Sequence, residues 1–214
     1  MLQVNYRGST GRGRAFVQEL YEDWGGVEQG DVATDVEYVL DEYDWTDEDR
    51  VVVYGGSYGG YSTNWQVVQY PELCDAVVTS IGVSDLVDVY ENTMLHFRTE
   101  LMEKNLGTLK GNPDLYEERS PTTHTANLEC PLMIIHGVND PRVLISQARL
   151  LRDALLDAGF RKGTDFEHAE LGEEGHGSTD IIRKSEAWNY SATSLSGELE
   201  QSRQQPSRLM TKQG

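Results

Sequence analysis

The segment Val51-Val52-Val53-Tyr54 runs straight into Gly55-Gly56-Ser57-Tyr58-Gly59-Gly60-Tyr61. Three β-branched residues and an aromatic in succession favour an extended strand. The glycines then permit a tight turn, and Tyr58 to Tyr70 can continue as a helix that stops near Pro71. A strand that turns sharply on a serine and leaves as a helix restricts the chain to layered α/β architectures and pushes the serine hydroxyl out of the turn.

Other segments repeat the alternation. Ala76-Val77-Val78-Thr79-Ser80-Ile81 and Leu132-Met133-Ile134-Ile135-His136 have the unbroken hydrophobicity of strands covered on both faces. Phe166 to Leu171 reads as the last strand, and Leu2 to Tyr6 as a short first strand entering the glycine-rich stretch Arg7 to Gly13. Helices are expected over Ala15 to Trp24, around Val32, Val36, Val39 and Leu40, over Tyr90 to Leu106, and over Ile145 to Ala158, where Ala148, Leu151, Leu155 and Leu156 supply one face. Gly107 to Asn127 reads as irregular. Strands joined by crossover helices imply a mostly parallel sheet with helices on both faces, so the fold class is α/β. Residues 1–188 are read as one domain. Residues 189–214, dominated by Ser, Gln, Glu and Arg, are read as a largely disordered polar tail, with a short helix packed through Trp188 and Leu195 as the alternative.

Thirty-six acidic against eighteen basic side chains give a net charge of −18. Such a charge repels nucleic acid and anionic membranes, so neither is expected as a partner. Self-repulsion of this size is relieved by salt, and an acidic chain with few lysines resembles the proteins of salt-loving organisms, an ordinary acidic protein being the alternative. No apolar run is long enough to cross a bilayer and no signal peptide is evident, which makes a cytoplasmic location the expectation. Cys74 and Cys130 read as buried small side chains rather than a redox framework. No metal constellation is visible, and neither metal nor cofactor is expected.

A serine hydroxyl is a weak nucleophile until a base takes its proton. His176, in Glu174-Gly175-His176-Gly177 just beyond the last strand, can return to the serine's edge of the sheet as that base; an ordinary loop histidine is the alternative. Asp140 follows a strand, precedes Pro141 and can orient His176; it could instead cap the next helix. His136 could support the site from beneath, and Asp85 and Asp88 are the reserve carboxylates. Ser, Asp, His is the chain order of α/β-hydrolases, whose elbow geometry makes the backbone N–H of Tyr58 one oxyanion donor. Val83, Val87, Tyr90 and Phe97 are candidates for a pocket wall, predicting a preference for an apolar or aromatic side chain beside the scissile bond.

Asn5-Tyr6-Arg7-Gly8-Ser9-Thr10-Gly11, Gly25-Gly26, Gly55 to Tyr61, His136-Gly137 with Asp140, and Gly175-His176-Gly177 together closely resemble the catalytic domain of the prolyl oligopeptidase family, nearest its acylaminoacyl-peptidase and dipeptidyl-aminopeptidase-like branches. The resemblance covers about Leu2 to Trp188. It implies an α/β-hydrolase fold and a serine-type peptidase acting on short peptides, with Ser57 as nucleophile, Asp140 as orienting acid and His176 as base. It also implies earlier strands and an H-G-G-P-like oxyanion loop, which this sequence does not contain, so the chain reads as an N-terminally truncated catalytic domain with its first strands missing. A strand left without its neighbour invites homo-oligomerisation through the exposed sheet edge. Esterase chemistry and a catalytically silent remnant acting as an interaction protein are the competing readings.

Overall fold

Four strands, β1 (Val52–Gly56), β2 (Ala76–Ser80), β3 (Leu132–Gly137) and β4 (Phe166–Leu171), form one parallel sheet in the order β1-β2-β3-β4. They are seen in a computed structural model that describes residues 1–177. The expected tail and Trp188 lie outside the described residues. The register aligns Val53 with Val77, Val77 with Leu132, and Leu132 with Phe166. Because all strands run the same way, the segments after Gly56, Gly137 and Leu171 leave from one edge of the sheet.

The helices are α1 (Arg14–Gln18), α2 (Val27–Glu42), α3 (Tyr58–Gln69), α4 (Leu86–Asn92), α5 (Leu95–Phe97), α6 (Glu103–Leu106), α7 (Pro113–Glu118) and α8 (Ser146–Asp157). Val67 and Val68 of α3 and Ala148, Leu151 and Leu155 of α8 pack with Val77, Leu132, Ile134 and Phe166 in one buried cluster. Removing such side chains from water, at about 25 cal/mol per Å² of apolar surface, is what holds a parallel sheet under its helices. Leu156, counted on the same face from sequence, is 46% exposed, so the buried stripe of α8 is narrower than its spacing implied. Among the described residues no helix is long and apolar enough to cross a membrane.

Several expected elements come out differently. Leu2 to Tyr6 joins no sheet. Its neighbour Arg7 donates from its backbone N–H and its guanidinium to Asp31 of α2, at 2.6 to 3.0 Å, and the Tyr6 ring stacks on Tyr58. These contacts hold the segment against the helix layer. On its side away from β2, β1 therefore has no strand neighbour among the described residues, and Tyr54 there is 55% exposed. The helix expected over Ala15 to Trp24 is only the short α1. The long helix expected over Tyr90 to Leu106 breaks at Thr93, whose backbone is extended. There the Asn92 amide donates to the Asp88 carbonyl, a side-chain competitor for the helical ladder. Gly107 to Asn127 holds α7, started by Pro113, and a 3₁₀ stretch started by Pro121.

The acidity has a measurable consequence for this fold. Raising sodium chloride from 0.1 M to 1 M shortens the Debye length from about 10 Å to about 3 Å. The calorimetric melting midpoint is expected to rise across that range, and a flat or falling midpoint would show that self-repulsion does not limit stability.

Candidate active site

Ser57 occupies the junction between β1 and α3 with φ 57° and ψ −117°, a conformation that L residues rarely adopt. Such a backbone costs on the order of 1–3 kcal/mol and persists only where its surroundings enforce it. Here the Ser57 N–H donates to the Ser80 carbonyl at 3.0 Å, and Tyr61 N–H to the Ser57 carbonyl at 3.0 Å. Close approach of helix to strand is the other constraint. A Cβ at Gly55 would stand 2.1 Å from the Gly59 carbonyl oxygen, and one at Gly60 would stand 2.5 Å from Gly82 Cα, whereas one at Gly59 would meet nothing within 4 Å.

Tyr58 is the first residue of α3, so its N–H has no carbonyl within the helix to reach. Its side chain fixes the turn. The ring stacks on Tyr6 and Trp24, and the hydroxyl donates to Glu28 Oε1 at 3.0 Å. Glu28 is fully buried and also accepts from Gly25 N–H (2.5 Å), Gly26 N–H (3.0 Å) and the Gln29 amide (3.2 Å). Burial raises the Glu28 pKa above its usual 4.5, and these hydrogen bonds pull against it. A carboxyl whose folded pKa is raised contributes stability that is complete below its unfolded pKa and is lost as pH rises through the folded one. Glu28→Gln removes that titration. The stability advantage of the wild type over the variant is therefore expected to shrink from pH 4 to pH 8 in urea melts, and parallel curves would refute the assignment.

Asp140 and His176 meet directly. Asp140 is buried; its Oδ1 accepts from Arg142 N–H (2.8 Å) and Val143 N–H (3.1 Å), and its Oδ2 accepts from His176 Nδ1–H at 2.8 Å. With Nδ1 protonated in the neutral ring, Nε2 is left as the acceptor. The backbone explains the approach. A Cβ on Gly137, at the end of β3, would lie 2.5 Å from the Glu174 carbonyl oxygen and 2.6 Å from that of Gly175. Val138 N–H donates to Leu171 O and Asn139 N–H to Glu174 O, laying the loop after β4 onto the end of β3. His136, 1% exposed, lies beneath: its Nε2–H donates to Val143 O at 2.8 Å, and burial lowers its pKa. A neutral His136 presents no competing cation to Asp140, 3.8 Å away.

The reserve carboxylates are engaged elsewhere. Asp85 caps α4 by accepting from Asp88 N–H, and Asp88 accepts from Ser146 and Gln147 of α8. Three of the four pocket candidates share one cluster. Val83 is buried with Trp24, Tyr61 and Leu86, and Val87 and Tyr90 pack on that cluster, while Phe97 is half-buried in α5. Tyr90 lines an open groove of about 420 Å³ with Glu91, Arg98, Leu109 and Lys110. Another groove of about 370 Å³ borders Asp140 and is lined by Val138, Leu144, Ile145 and Arg149 among others. Sequence reasoning missed Glu28 and the role of Gly137. An acidic residue in a helix's first turn signals favourable dipole placement, not burial, and a glycine after a strand does not announce which loop rests on it.

The chain is similar in sequence and fold to known proteins. The chain is 33% identical over 159 residues to the uncharacterized peptidase YuxL of Bacillus subtilis, covering 74% of this chain and 24% of that protein. It is 30% identical over 181 residues to dipeptidyl aminopeptidase BIII of Pseudoxanthomonas mexicana, covering 83% and 26%. A puromycin-hydrolyzing peptidase of Mycobacterium tuberculosis superposes with a TM-score of 0.84 at 29% identity, over 92% of this chain and 29% of that one. The chain thus spans about a quarter of the length of the curated relatives it matches. The parallel sheet flanked by helices is that of an α/β-hydrolase-like catalytic domain, and residues 1–194 match the prolyl oligopeptidase family, to which this chain belongs.

Proposed function

We propose that this chain is the catalytic part of a serine peptidase that cleaves short peptides through an acyl-enzyme. His176 Nε2 takes the Ser57 proton as Oγ attacks the scissile carbonyl, then delivers it to the departing amine. Asp140 holds the imidazole in the required tautomer and stabilises the imidazolium. The Tyr58 N–H donates to the oxyanion of the tetrahedral intermediate. Water, deprotonated by His176, then attacks the acyl-enzyme and releases the acid with free Ser57. The observation that carries the reading is the 2.8 Å bond from His176 to a carboxylate locked by two backbone N–H groups, on the sheet edge where Ser57 is held in a strained turn.

Peptide rather than ester chemistry is supported by relatives that are named as peptidases. The aromatic and aliphatic cluster around Tyr90 and Val87 supports a preference for an apolar side chain beside the scissile bond. The test is labelling with a fluorophosphonate in molar salt, followed by peptide mapping and a matched series of aminoacyl amides and esters. The expected result is one adduct, on Ser57, with turnover of apolar amides ahead of acidic ones. A folded chain that takes no label refutes the enzyme, and turnover of esters alone replaces the peptidase with an esterase.

A further inference from the structure

Cys74 and Cys130, the chain's two cysteines, are 56 positions apart in sequence, yet their sulfurs stand 2.8 Å from each other. Each lies just before a strand: Cys74 ahead of β2 and Cys130 ahead of β3. These strands are direct parallel neighbours, with Val77 N–H donating to the Pro131 carbonyl at 3.1 Å and Val77 aligned with Leu132. Adjacent strands run about 4.8 Å apart, which puts residues at their starts within the roughly 4.4–6.8 Å Cα separation that a disulfide spans. Both side chains are buried in the cluster that packs α3 and α8 on the sheet, at 3% and 4% exposure, so neither sulfur can swing far from the other.

We propose that Cys74 and Cys130 form an oxidisable pair, closed to a disulfide by a peroxide, that ties the part of the chain carrying Ser57 to the part carrying Asp140 and His176. The chemistry balances with hydrogen peroxide as oxidant. One thiol gives up its proton and the thiolate attacks a peroxide oxygen; the O–O bond breaks to give a sulfenic acid and hydroxide, which takes that proton to become water. The second thiol attacks the sulfenic sulfur, the S–O bond breaks, and a second water leaves with the S–S bond formed. Two thiols are oxidised and one peroxide is reduced. Burial favours a small oxidant over a bulky disulfide reagent, and the contact between the sulfurs directs the sulfenic acid to its partner rather than to further oxidation.

The cross-link sits at the amino ends of the strands, the edge opposite Ser57, so it acts on the fold rather than on the chemistry. Cys74 directly follows the 3₁₀ turn Pro71–Leu73 that closes α3, and a bond to Cys130 anchors the end of that helix to the start of β3. Closing a loop of this length restricts the unfolded chain enough to raise the melting midpoint by about 10 °C.

The test treats the full chain with hydrogen peroxide and follows intact mass, thiol titration in denaturant, a non-reducing peptide map and thermal melting. The expected result is loss of two hydrogens per chain, no titratable thiol, a Cys74–Cys130 linked peptide, and an upward shift of the midpoint that dithiothreitol reverses. Cys74→Ala should show no shift and gain oxygen instead. Because the mass and map use only the wild-type chain, a poorly folded variant leaves the test intact. Two titratable thiols after treatment, oxygen addition without hydrogen loss, or disulfide-linked dimers would each overturn the proposal.

Discussion

Ser57→Ala is expected to lower amide turnover by about 10⁶-fold, and Asp140→Asn by about 10⁴-fold, with the double variant no slower than Ser57→Ala alone. In the proposed mechanism the serine supplies the oxygen that becomes acylated, so its removal would end covalent catalysis and leave only binding and the oxyanion donor. The asparagine acts through the tautomer. Its carbonyl can keep accepting from Arg142 and Val143 N–H, as Asp140 Oδ1 does, which turns its NH₂ toward His176 Nδ1. Facing a donor, Nδ1 must accept, the proton moves to Nε2, and the ring can no longer take the Ser57 proton. Single-turnover kinetics with an activated amide, alongside circular dichroism showing an unchanged fold, measure this. Additive losses in the double variant would mean that the groups do not act as a unit.

Gly55→Ala is expected to destabilise the domain by about 3 kcal/mol or more, lowering the melting midpoint by roughly 6–12 °C. The added methyl would stand 2.1 Å from Gly59 O, 2.4 Å from Gly59 C and 2.5 Å from Thr63 Oγ1. Two of these atoms are backbone, fixed by the first turn of α3, so β1 and α3 must separate. Gly59→Ala is the control: the space is open there, and a helix prefers alanine by about 1 kcal/mol. A differential scanning calorimetry series in which both variants melt alike would show that the elbow tolerates expansion. Among the glycines of the turn, Gly55 makes room for α3, and the second close approach belongs to Gly60, against Gly82, rather than to Gly59.

What was legible from sequence is what local chemistry determines. Ala76 to Ser80 and Leu132 to His136 form strands because each is apolar enough to be covered twice, and the β-branched Val52 and Val53 extend beside them although β1 is only partly covered. The meeting of Asp140 with His176, and the turn at Ser57, were legible because each of these residues follows a strand on what must become one edge. Leu2 to Tyr6 misled because strand propensity says nothing about an available neighbour; Arg7 and Asp31 settle the matter from a distance. The same is true of Glu28, Gly137 and the cysteine pair, whose roles rest on partners remote in sequence. The break at Thr93, between Tyr90 and Phe97, was not legible, since it depends on a side-chain hydrogen bond.

The seating of the Glu174–Gly175 backbone on Gly137 also sets a timetable. A ribosome releases Ser57 early and His176 late, and domains fold as units once their parts are present. Under the proposed roles, Ser57 stays an ordinary alcohol until β4 has paired with β3 and its loop has come down on Gly137. On the proposed mechanism, a nascent chain acquires the power to attack peptide bonds only when its last strand is in place.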